Sequence, residues 1–125
     1  MTLLPEGFRR IWDDRDGPVV LATVGEDCVP NIIYANCVNI FGDDRLVVAD
    51  NKFDKTRANL LKGGKGSILF RSKDGTAYQI KGSLEYHTEG EIFDDMKTWN
   101  PPGYPGRAAA VLRVEEMYSG AKKLC

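Results

Sequence analysis

The chain has 125 residues, 42% of them apolar and 28% charged, which fits a single globular domain with enough core to need no disulfide or metal staple. Seventeen basic residues against eighteen acidic ones leave a net charge of −1, so there is no broad electrostatic attraction for nucleic acid and any anion site must be local. No apolar run reaches the length of a membrane span, and "MTLLPEGFRRIWDDRDG" lacks the basic-then-apolar pattern of a secretory leader, so the expectation is a cytoplasmic protein with no membrane partner.

In "PEGFRRIWDD", Phe8, Ile11 and Trp12 recur at helical spacing and predict a short amphipathic helix over one end of the core. "PVVLATV" is apolar and β-branched; "GED" follows it, then "VPNIIYANCVNIF", so the two runs read as a hairpin of two strands. "GDD" at Gly42 to Asp44 marks a turn before a third strand, "RLVVAD", which ends at Asp50. The next segment, "DKTRANLLKGG", predicts a helix with Asp54 as N-cap, Ala58, Leu60 and Leu61 as its apolar stripe, and Gly63-Gly64 as its stop. Lys55 and Thr56 fall in the first turn, where unpaired N–H groups and the helix dipole favour an anion. The same pattern also suits an ordinary solvated helix, and a capping Asp54 would compete for those N–H groups.

"GSILFRS", the turn "KDG" and "AYQIKGSLEYH" make a second hairpin, in which Gly82 predicts a bulge or bend. Thr88 and Glu91 have capping-box spacing ahead of a helix striped by Ile92, Phe93, Met96 and Trp99. "NPPGYPGR" is an irregular loop that Pro101, Pro102 and Pro105 stiffen around Tyr104, and "AAAVLRVEEMY" supplies the last strand. About six strands, mostly joined by hairpins, with one helix inserted mid-sheet and another before the last strand, predict a mainly β fold closing as an antiparallel barrel. One domain spans residues 1–125.

The chemistry-bearing residues are sparse. Cys28, Cys37 and Cys125 are odd in number and lack C-x-x-C spacing, so neither a disulfide framework nor a metal site is expected. His87, the one histidine, has no nucleophile motif beside it and reads as structural or exposed. No protein acid or base stands out as catalytic, and no G-x-G-x-x-G fingerprint for a resident dinucleotide is present.

The succession of a strand, a strand opening on Pro30-Asn31, "DDRLVVAD", "DKTRANL", another strand, "YQIKG" and "AAAVLRVEEMY" resembles the small FMN-binding split-barrel proteins related to pyridoxamine 5′-phosphate oxidase. The likeness runs from about Val19 to Val114. Its most informative part is "DKTRANL", since those proteins carry Lys-Thr, or Arg-Lys in the oxidases, at the same helix start, against the flavin phosphate. The resemblance implies a six-stranded antiparallel FMN-binding split barrel that forms a homodimer with FMN at the subunit interface. Lys55 and Thr56 would hold the phosphate, with Asn59 supporting that end one turn later. Tyr34, Ala35 and Asn36 would run beside the flavin ring, Val48, Ala49 and Asp50 would meet the ring edge and ribityl chain, and Tyr104 would shape access to the ring. Trp99 lies near the same loop, but its helical stripe already accounts for it.

The implied function is an oxidoreductase passing electrons or hydride through FMN between a small-molecule donor and a small acceptor. The Arg-rich substrate segment and carboxy-terminal substrate tail of the larger oxidases have no counterpart here, so oxidation of pyridoxamine phosphate is not expected. Two alternatives stay open at this stage: a non-catalytic flavin carrier or FMN-binding protein, and a split barrel that holds heme or a deazaflavin.

Overall fold

Turn chemistry and β-branched runs give eight strands and three α-helices in the computed structural model, which describes residues 2–125. In chain order they are α1 (Phe8–Asp13), β1 (Val19–Val24), β2 (Pro30–Ala35), β3 (Val38–Phe41), β4 (Arg45–Asp50), α2 (Lys55–Lys62), β5 (Lys65–Arg71), β6 (Ala77–His87), α3 (Glu91–Trp99), β7 (Ala108–Ser119) and β8 (Lys122–Lys123). Among the described residues no helix is long and apolar enough to cross a membrane.

The strands form one antiparallel sheet in the order β2-β1-β5-β6-β7-β4-β3, with β8 added alongside β7. Its two edge strands, β2 and β3, are consecutive in the chain and joined only by Asn36 and Cys37. The sheet therefore has to curl until its edges meet at that link, where the Ala49 N–H donates to the Cys37 carbonyl at 2.9 Å. Away from the link, β2 pairs with β1 and β3 with β4, and the two edges do not pair with each other. The barrel is closed at one corner and split above it.

This corner also corrects an expectation. The run "VPNIIYANCVNIF", expected as one strand, is two: Ala35 ends the pairing with Val19 of β1, and Val38 begins a new pairing with Val48 of β4. The break and the two-residue β8 raise the strand count above the expected six. Other expectations stand. The β1–β2 and β5–β6 hairpins are antiparallel, and α2 stops at Gly63.

Inside the curl, Leu21, Leu46, Ile68, Ile80, Leu112 and Met117 are almost fully buried. At one end α1 lays Phe8 and Trp12 against Phe70, with the Trp12 and Phe70 rings edge-on at 5.3 Å and the Arg15 guanidinium 4.0 Å above Trp12. On the outer side of β4 and β7, α3 packs Ile92 and Met96 against Val47, Ala49, Ala109 and Val111. β4 is thus buried on both faces. The expected Thr88–Glu91 capping box is not made: the N-cap residue of α3 is Gly90, and no side chain caps the helix. His87 instead hydrogen-bonds Glu85 at 2.8 Å, and Glu85 pairs with Arg113 at 3.2 Å, which in turn reaches Asp44 at 3.5 Å.

The expected irregularity at Gly82 is a register shift between β6 and β7, where Lys81 faces Glu116 but Gly82 faces Val114. A Cβ on Gly82 would lie 1.9 Å from the Arg113 carbonyl oxygen, so only glycine allows the two backbones to approach this closely. Gly82→Ala should therefore lower the unfolding free energy by about 2–3 kcal/mol in denaturant titration. Gly103→Ala, where an added Cβ meets nothing within 4 Å, should stay within about 0.5 kcal/mol of the native protein. Equal stabilities for the two variants would contradict this account of the bulge.

Candidate ligand-binding cleft

The split in the barrel opens into a cleft of about 530 Å³, within the range of about 300–1,000 Å³ common for small-molecule sites. One wall is β2. Strand alternation turns Asn31, Ile33 and Ala35 inward to the cleft, while Pro30, Ile32 and Tyr34 face out, with Tyr34 77% exposed at the rim. Asn36, Cys37 and Ala49 line it at the corner where the edges meet. The facing wall is the connector Asn51 to Asp54 and the first turn of α2, with Lys55 and Thr56; Tyr104, 51% exposed, contributes from the loop after α3.

The start of α2 differs from the sequence expectation in a way that favours an anion. Asp54 occupies the N-cap position, but its side chain makes no capping hydrogen bond. The competitor for the first-turn N–H groups is therefore not engaged. Lys55 is exposed and makes no ion pair among the described residues. Thr56 is buried, and its hydroxyl oxygen accepts a hydrogen bond from Asn31 Nδ2 at 3.0 Å. That bond occupies the acceptor side of the hydroxyl and leaves its proton to be donated elsewhere.

Of the residues singled out in the sequence, Tyr34, Ala35, Asn36, Ala49, Lys55, Thr56 and Tyr104 come together around the cleft. Val48, Asp50 and Asn59 do not line it. Val48 packs into the inner core. Asn59 donates through Nδ2 to Thr23 Oγ1 at 2.9 Å and so pins α2 to β1. Asp50 is 0% exposed: its carboxylate accepts from the Phe53 N–H at 2.9 Å and from the Tyr86 hydroxyl, bracing the connector from beneath. The sequence reading missed Asn31, Asn51 and the exposed Lys52, which also line the cleft. Alternation along β2 offered a signal for Asn31, since it shares a face with Ala35.

The loop carrying Tyr104 is fastened on both sides. Lys97 Nζ donates to the carbonyls of Pro105 and Gly106 at 3.1 and 3.3 Å, and Asn51 Oδ1 accepts from the Gly106 N–H at 2.9 Å. The aromatic ring is thus presented by an anchored loop.

A family model described as pyridoxamine 5′-phosphate oxidase matches residues 8–119. The chain belongs to the pyridoxamine 5′-phosphate oxidase family. Among curated relatives, an uncharacterized protein of Methanocaldococcus jannaschii is 28% identical over 106 residues, covering 81% of this chain and 71% of its own. An FMN-binding protein of Nitratidesulfovibrio vulgaris is 27% identical over 121 residues, covering 90% of this chain and 94% of its own. Among solved structures, HupZ of Group A Streptococcus superposes with a TM-score of 0.81 at 22% identity, covering 94% of each chain. At 16% and 18% identity the shared fold extends to an F420 reductase (TM-score 0.68, 92% of this chain and 98% of that one) and to a heme-binding protein of Mycobacterium smegmatis (TM-score 0.70, 93% and 54%).

Beneath the cleft wall of this family member, the Asp50–Tyr86 contact braces the connector. Burial raises the Tyr86 hydroxyl above its ordinary pKa, the hydrogen bond and charge of Asp50 raise it further, and Arg57 opposes them in part. A group whose folded pKa is raised contributes stability that is complete below its unfolded pKa and lost as pH rises through the folded one. Tyr86→Phe should thus be about 1.5–3 kcal/mol less stable than the native protein near pH 7, and the gap should narrow above about pH 10. A gap independent of pH, or no gap in denaturant titrations at neutral pH, would count against this bracing role.

Proposed function

We propose that this chain is an FMN-binding flavoprotein, a flavin oxidoreductase that holds one flavin per cleft with its phosphate on the first turn of α2. The observation that carries the reading is the helix start itself. Lys55, the donating hydroxyl of Thr56 and first-turn N–H groups free of any side-chain cap border one small-molecule cleft. A phosphate there gains a charge-assisted contact from Lys55, a directional bond from Thr56 and the favourable end of the helix dipole. Membership of the family and the similarity to a protein described as FMN-binding support the same ligand.

The rest of the cleft suits a flat ring. Ile33 and Ala35 offer an apolar wall from β2, and Tyr104 supplies an aromatic face able to stack. Bound FMN would supply the electron- and hydride-transfer chemistry, so the chain needs to hold, orient and shield it. Small molecules then reach the ring over the open mouth beside Tyr104. Steady-state oxidation of a reduced nicotinamide with a defined acceptor would establish turnover, whereas flavin reduction without turnover would assign a carrier role.

The working unit in this reading is a homodimer. Tyr34, Val20 and Leu69 stand opposite one another across β2, β1 and β5, and Ile32 and Ala22 form the next row. Ile32 and Tyr34 are 69% and 77% exposed, which leaves an apolar sheet face beside the cleft rim. The same face on a second copy is self-complementary about a two-fold axis and would shield the rim from water. Light scattering should give twice the 13.9 kDa chain mass, and Ile32→Asp should shift the protein toward monomer. A monomer mass at micromolar concentration with flavin bound would overturn the dimer.

Titration with FMN and riboflavin tests the phosphate seat. A hydrogen bond to a charged group is worth about 1.5–3 kcal/mol, so Lys55→Ala should weaken FMN roughly ten- to a hundred-fold. Thr56→Val should cost less. Riboflavin, which has the ring without the phosphate, should bind the native protein more weakly than FMN and respond little to either substitution. Equal affinities for the two ligands, or a Lys55→Ala variant that loses both equally, would reduce the helix start to a solvated surface.

A further inference from the structure

We infer that Asn51 orients the ring of the bound ligand by presenting a single fixed hydrogen-bond donor, and no acceptor, to the cleft. This rests on the flavin reading above and adds a residue that sets which ring edge is recognised.

The inference follows from counting hydrogen-bonding groups on one side chain. A primary amide has two acceptor positions on Oδ1 and two N–H donors on Nδ2. Asn51 Oδ1 accepts from the Gly106 N–H at 2.9 Å and from Asn100 Nδ2 at 3.0 Å, which uses both acceptor positions. Asn51 Nδ2 donates one proton to Asn100 Oδ1 at 3.0 Å. The amide cannot be turned over, because a backbone N–H only donates and the atom facing Gly106 must be oxygen. One N–H therefore remains, on a side chain that lines the cleft.

The mounting is rigid. Asn51 and Asn100 form a reciprocal pair of bonds, Asn100 is buried, and Gly106 closes the third side. The same clamp holds the loop that carries Tyr104, so this donor and the aromatic face are fixed relative to each other. A donor-only group selects an acceptor on its ligand. A flavin ring offers carbonyl oxygens and unprotonated ring nitrogens as acceptors, and a donor fixed there stabilises the extra electron density of the reduced ring. Asn51 thereby favours reduction as well as binding.

The test compares the native protein with Asn51→Ala, Asn51→Asp and Asn100→Ala in FMN and riboflavin titrations and in the midpoint potential of the bound flavin. Asn51→Asp is the informative variant, since its oxygens still accept from Gly106 and Asn100 while both N–H groups are gone, the one donated to Asn100 and the one facing the ligand. Both Asn51 variants should weaken FMN and riboflavin by the same factor, about five- to ten-fold, and lower the potential. Asn100→Ala, which keeps the Asn51 donor but loosens it, should lose less. Unchanged affinity and potential in Asn51→Asp would overturn the inference, as would identical losses in Asn51→Ala and Asn100→Ala, because Asn51 would then be a loop anchor alone. Lys55→Ala in the same titrations reports the phosphate seat separately. A native protein that takes up neither flavin would overturn the flavin reading together with this one.

Discussion

Two residues, Asn36 and Cys37, connect the opposite edges of an eight-stranded sheet, and that short link is the constraint on which the rest of the structure depends. With so little chain between them, β2 and β3 can be edges of the same sheet only if the sheet rolls nearly into a barrel. They diverge on leaving the corner, so the roll stays open along one side. The gap is where β2 turns its inward face toward the β4–α2 connector, and it is the cleft. An anion-favouring helix start reaches the gap because α2 follows β4 by a connector of four residues, Asn51 to Asp54.

Polar groups hold that geometry in place. Asp50 is fully buried, yet both of its oxygens are engaged, one by the connector backbone and one by Tyr86 from the long β6 strand. Burying a carboxylate is costly unless its hydrogen bonds are satisfied, so the connector conformation that satisfies Asp50 is strongly preferred over others. One position later, Asn51 ties the same connector to α3 and to the Tyr104 loop. On the other wall, Asn31 of β2 bonds Thr56 of α2 across the gap. The two walls and the mouth are thus cross-linked by side-chain amides and a carboxylate, while apolar packing lies below and behind.

Much of this was legible in the sequence, and the failures have physical causes. Turn residues and β-branched runs located the hairpins, Gly82 announced the bulge, and helical spacing located α1, α2 and α3. The break at Asn36-Cys37 was hidden because the run from Val29 to Phe41 is apolar on both sides of the corner and contains no glycine there. Val48 and Asp50 were expected at the ring edge and ribityl chain from the resemblance of their strand, and they do not line the cleft; β4 is buried on both faces, so alternation could not say which of its side chains look into it. The Thr88–Glu91 spacing fitted a capping box, but Gly90 takes the N-cap position instead. Asn51 and Asn31 were missed for a different reason. Their partners lie 49 and 25 residues away, and no local pattern encodes a bond of that span. Lys55 and Thr56 were expected at a helix start and do open α2 beside the cleft, because a helix start is a local feature.

Solved structures that share this curl include an F420 reductase and a heme-binding protein, so the fold by itself does not select the ligand. The selection proposed for this chain lies in the uncapped first turn of α2 with Lys55 and Thr56, which suits a phosphate-bearing ligand. The most direct test of that claim is the mass of the small molecule released when the purified protein is denatured, with its amount per chain. The account requires FMN at about one molecule per chain; release of heme, a deazaflavin or riboflavin in its place would contradict it.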